Sequence, residues 1–151
     1  MRIVLSSIVL ILCLAAMASA EALPQGKWVL EEYRFDSKTE HAISGVNTTL
    51  VVKAKNHLGG DSGCNAYGGN YSDTDGKLKI ADIISTMRAC EEPTPRFEHS
   101  FFDVLEKADS AKVEGNALVI FANDGHYLRF VREEATDGPA SSSAVLPAKS
   151  R

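Results

Sequence analysis

The chain has 151 residues, 44% of them hydrophobic and 24% charged, and its formal net charge is −4. A mild acidic excess argues against nucleic acid as a partner, and the length suits one small domain with a core of its own.

The N-terminus begins Met1-Arg2, continues in an apolar run over 3–18 and closes on Ala18-Ser19-Ala20. A charged start, an apolar run and small residues at its end read as a secretory signal peptide over 1–20, cleaved after Ala20. The run falls short of the roughly 20 residues that span a bilayer, and no basic stop-transfer cluster follows, so no membrane anchor is expected. Cys13 lies inside the run, but Leu12 precedes it where lipoprotein processing wants a small side chain, so no lipid is expected there. The protein is therefore read as periplasmic or secreted. Of three cysteines, Cys64 and Cys90 remain after cleavage. An even count in an exported chain implies a disulfide, and two cysteines allow one pairing.

The expected domain spans 21–132. Its first strand covers 27–35, where Trp28, Leu30, Tyr33 and Phe35 change faces near Glu31-Glu32 as at a bulge. A β-branched run over 48–54 is a second strand. The segment 70–80 reads as a hairpin turning at Asp75-Gly76, with Leu78 and Ile80 inward and Lys77 and Lys79 in water. Asp73-Thr74-Asp75-Gly76 also starts like a calcium loop, but the further oxygen ligand and late Glu are missing. Thr94 as N-cap and Pro95 at the first position open a helix. Its stripe is Phe97, Phe101, Val104, Leu105 and Ala108, with Phe102 at the edge; Glu98, Asp103, Glu106 and Lys107 lie mostly opposite. Two hairpins follow, turning at Gly115-Asn116 and at 123–125. The tail over 133–151, poor in aromatics and rich in Ala, Ser and Pro, reads as disordered. The expected fold class is α+β: a small curled antiparallel β-sheet or partly open barrel packed with one α-helix.

Cys64 sits in a glycine-rich stretch, Gly60-Asp-Ser-Gly-Cys-Asn-Ala-Tyr-Gly-Gly-Asn-Tyr71. A nucleophilic thiol needs a lowered pKa and usually a nearby histidine, and His41, His57, His99 and His126 fall in no cysteine-protease signature. A metal site would want more ligands at short spacing. A staple from Cys64 to Cys90, tying the helix entry to the early sheet, suits the glycines, which permit close backbone approach or positive φ. No catalytic residue, metal or cofactor is expected.

Gly60, Gly63, Cys64, Asn65, Tyr67, Gly69 and Tyr71, followed by Thr86 and Cys90, with Trp28 before and paired strands after, resemble the META domain family. That family includes the HslJ-type heat-inducible proteins of bacterial envelopes. The resemblance runs over about 28–131. It implies a small β-rich domain packed with one helix, similar to pilotin-like lipoproteins of secretion systems, in a secreted, periplasmic or lipid-anchored setting. It also implies links to heat response, antibiotic tolerance, motility or virulence, and it brings no catalytic residue. The chain departs from anchored members in lacking a convincing lipidation site.

The functional expectation is a non-enzymatic envelope module that binds an envelope protein, a peptide or a small apolar ligand, or that helps maintain the envelope under stress. Phe101, Phe102 and Leu105 are candidates to line an apolar groove, against their reading as packed core. The alternatives are a thiol-dependent enzyme or redox protein, and an inhibitor presenting the stretch from Gly59 to Gly69 to a secreted hydrolase.

Overall fold

The computed structural model describes residues 23–133. The expected signal peptide over 1–20, Cys13 and the tail beyond Glu133 lie outside the described residues. Glu133 itself continues the domain: its N–H donates to Lys27 O at 3.0 Å.

Among the described residues the elements follow in the order β1 (Gly26–Phe35), β2 (Lys38–His41), β3 (Thr49–Lys53), β4 (His57–Asp61), β5 (Ala66–Thr74), β6 (Lys77–Ser85), α1 (Thr94–Glu106), β7 (Ala108–Glu114), β8 (Ala117–Ala122) and β9 (Tyr127–Arg132). The strands form one sheet in the order β6-β5-β4-β3-β1-β9-β8-β7, with β2 beside β1. All its ladders are antiparallel. The end strands β6 and β7 lie against each other, although no ladder joins them among the described residues. The sheet is thus a nearly closed barrel, which hides most of its edges. With one helix, the class is α+β.

Local chemistry explains most elements. The register of β1 against β9 shifts between Leu30 and Glu32, so Trp28, Leu30 and Tyr33 all face the core despite their odd spacing. The β5–β6 turn uses Asp75 at φ 54° and Gly76 at φ 77°, as two-residue hairpin loops require. Leu78 and Ile80 are buried between exposed Lys77 and Lys79.

The start of α1 differs from expectation. Pro93, not Thr94, occupies the cap position, no side chain caps the helix, and Thr94 is its first residue. The Thr94 N–H donates to Glu91 O at 3.1 Å, so the chain is already turning one residue earlier. Ala108, expected on the helix stripe, begins β7, because the helix ends at Glu106 with Lys107 as its C-cap. Phe97, Phe101, Val104 and Leu105 are the buried helical residues, and the helix meets β6, β8 and β9. The centre of the core is Trp28, Leu50, Phe101, Val104, Leu105, Leu118, Ile120, Leu128 and Phe130.

Candidate functional site: a buried clamp beside an aromatic groove

The glycine-rich stretch builds a clamp. After β4 the chain turns through Ser62, Gly63 and Cys64 into β5. Gly60 passes so close to β3 that a Cβ there would lie 2.1 Å from Thr49 O. Gly63 takes φ +97°, where a Cβ would meet Val46 at 2.4 Å. Both positions therefore exclude a side chain. Cys64 is buried and bonded to Cys90.

Asn65, 5% exposed, is the hub. Its Oδ1 accepts from Thr86 Oγ1 at 2.8 Å and from Arg88 N at 2.7 Å. Its Nδ2 donates to Glu98 Oε2 at 2.8 Å. Glu98 Oε1 takes the Ser62 hydroxyl and shares the Asn65 N–H, at 3.2 Å, with Ser62 Oγ at 3.1 Å. Ser62 has one hydroxyl proton; the carboxylate is the stronger acceptor, and Asn65 O already receives Ser62 N at 2.8 Å. One side chain thus joins the β4–β5 turn, the segment after β6 and the helix, with the disulfide alongside. Burial without these partners would cost about 1–3 kcal/mol for each group left unpaired.

On another face, the β1–β2 hairpin and the start of α1 enclose a groove of about 560 Å³. Its floor is aromatic. The Tyr33 ring centroid lies 4.4 Å from Phe35 and 5.1 Å from Phe97. The rim carries both signs of charge: Asp36, Lys38, Glu40 and Arg96. Glu40 accepts from Tyr33 Oη at 2.9 Å and from Lys38 Nζ at 2.7 Å. Burial, aided by this carboxylate, pushes the Tyr33 hydroxyl up to about 12. The Lys38 and Tyr33 hydrogen bonds hold Glu40 below the usual carboxylate range, and Lys38 is raised in return. Among the described residues, the Arg96 guanidinium has one ion pair, a 3.9 Å contact with Glu92. The hairpin tip is held by the Asp36 N–H, which donates to His126 Nε2 at 3.0 Å.

A family model described as META domain matches residues 21–135. The chain belongs to the META domain family. An NMR structure of a protein from Burkholderia xenovorans is similar, with a TM-score of 0.64 at 28% identity, over 74% of this chain and 84% of that one. A crystal structure of a DUF4847 family protein from Bacteroides vulgatus ATCC 8482 is similar in fold, with a TM-score of 0.56 at 12% identity, over 72% of this chain and 93% of that one. A comparison with curated proteins finds no match.

In this META domain the motif residues lie together. Tyr67 is buried and its hydroxyl donates to Thr49 O at 3.0 Å; burial drives its pKa far above the ordinary tyrosine value. Gly69 sits at a register shift between β5 and β6, where a Cβ would approach Ala81 O at 3.0 Å. Tyr71 is buried in the core. Of the two readings given for Phe101, Phe102 and Leu105, packed core or the lining of a groove, the burial matches packed core. Phe101 and Leu105 are fully buried, and Phe102 is half-buried with its ring 5.5 Å from Tyr67. Their apolar stripe is filled by the barrel interior, and the open groove uses the preceding turn of the helix. The stretch 59–69, a presenting loop in the inhibitor alternative, is mostly β4 and β5, and Gly59, Ser62, Cys64, Asn65 and Tyr67 are buried.

Glu98 was expected on the solvent side and is the acid of the clamp. It stands about two turns before Leu105, so helical spacing alone places it on the buried side. Asp103, Asp124 and His126 are close enough to hold a cation. Lys107 Nζ already lies 2.7 Å from Asp103 and 3.3 Å from Asp124, supplying the positive charge there.

Proposed function

We propose that this META domain is a non-enzymatic extracytoplasmic binding module, exported by the signal peptide over 1–20 and serving in the cell envelope, that takes a peptide segment in the groove between β1–β2 and α1. The groove carries the reading. A floor of Tyr33, Phe35 and Phe97 offers a place for one apolar side chain, and a volume of about 560 Å³ suits a small ligand. A rim with both signs of charge matches a polypeptide, which presents donors and acceptors together; a head group of one sign would meet repulsion as well as attraction. A module held by a disulfide fits an oxidising compartment. No helix among the described residues is long and apolar enough to cross a membrane.

The non-enzymatic part rests on the sulfur and imidazole groups. Cys64 and Cys90 are tied to each other. His57 bonds Asn70, and His126 bonds the Asp36 N–H and faces Asp124, so among the described residues neither ring is paired with a Ser, Thr or Cys side chain that it could activate. Selection from a randomised peptide library followed by calorimetry tests the reading. A selected peptide should bind the wild type, and Phe35→Ala should weaken it about tenfold or more. Failure to select any peptide, or equal binding by Phe35→Ala, contradicts it.

A further inference from the structure

Residues 85–89 are all exposed, and Met87 is 99% exposed. A single apolar side chain in water is ordinary. What sets Met87 apart is how firmly the backbone around it is held. The Thr86 N–H donates to Ala66 O at 3.0 Å, and Thr86 Oγ1 and Arg88 N both donate to Asn65 Oδ1. Cys90 is covalently tied to Cys64. The main chain is thus held on both sides of Met87, whose side chain stands free in water. Ile84, 74% exposed, lies just before this stretch, near the end of β6.

A firmly held segment with one outward apolar residue has the form in which endopeptidases read a substrate. Here its ordering cost is met when the domain folds. We infer that residues 85–89 are a substrate-like loop that inhibits a serine endopeptidase, with Met87 filling a deep apolar primary pocket. Met suits such a pocket because it is unbranched and adaptable. The surface shares no lining residue with the groove, so the two proposals stand or fall separately.

The geometry also says how the loop resists cleavage. The peptidase serine Oγ adds to the Met87 carbonyl carbon and passes its proton to the peptidase histidine. The bond from that carbon to Arg88 N then breaks, and the nitrogen takes that proton and leaves as an amine. Asn65 Oδ1 holds this nitrogen at 2.7 Å, and the disulfide anchors the chain beyond it. The amine therefore stays beside the acyl carbon, re-forms the peptide bond and expels the serine before water can enter.

Inhibition assays with chymotrypsin and subtilisin test this, with thermal melts of each variant. The wild type should inhibit at least one of them, with any nick confined to the bond between Met87 and Arg88. Met87→Asp, at a fully exposed position, should keep the melting temperature and weaken inhibition on the order of 100-fold. Thr86→Val, which removes one anchor, should be cleaved faster at the same bond. Lack of inhibition of both enzymes, equal inhibition by Met87→Asp, or rapid complete cleavage of the wild type overturns the inference.

Discussion

Asn65 supplies an acceptor for Thr86 and Arg88 and a donor for Glu98 from one short planar amide. Asn65→Asp keeps the shape and replaces the donor with a carboxylate facing Glu98 Oε2. Two like charges in hydrogen-bond contact raise the pKa of one of them in the folded state. A group with a raised folded pKa stabilises below its unfolded value and loses that effect as pH rises through the folded value. Asn65→Asp should therefore lose about 1–3 kcal/mol near neutrality and recover much of it toward roughly pH 4. Urea denaturation of wild type and variant at both pH values measures this. An equal loss at both would show that the donor is not what matters.

At the scale of elements, spacing was legible wherever a pattern repeated locally. The β1 bulge, the Asp75-Gly76 turn and the stripe of Phe97, Phe101, Val104 and Leu105 each follow from neighbours a few residues apart. β2 and β4 were not legible. Lys38-Thr-Glu-His has no apolar alternation, and His57-Leu-Gly-Gly-Asp contains residues that strands usually avoid. Both are strands because their neighbours supply the ladder, a long-range cause. The clamp was half visible: the glycines and Asn65 stood out, whereas Glu98 becomes its partner only when α1 docks. The glycines differ in kind, and the difference can be measured. Gly76 faces open space at φ +77°, so Gly76→Ala should cost about 1 kcal/mol through backbone strain alone. Gly60 abuts the β3 backbone, so Gly60→Ala must part β3 from β4 and should cost about 3 kcal/mol or more. Comparable denaturation midpoints for the two variants would contradict the close-approach argument.

Over the whole molecule, the disulfide and the hydrophobic core act on the same body by different means. The bridge spans a sequence separation of 26, for which loop-closure entropy gives about 3–4 kcal/mol. The core, from Trp28 to Phe130, does not depend on it. Replacing both cysteines with serine should lower the unfolding free energy by about that amount and leave circular dichroism native. Unchanged stability would remove the staple from the account. The division of labour proposed for this META domain is that the clamp maintains shape while the aromatic groove meets the ligand. Amide chemical-shift mapping with a library-selected peptide tests that most directly. Shifts should concentrate at 33–43 and 93–100, with Asn65 and Thr86 undisturbed; shifts centred on the clamp, with the groove silent, would contradict it.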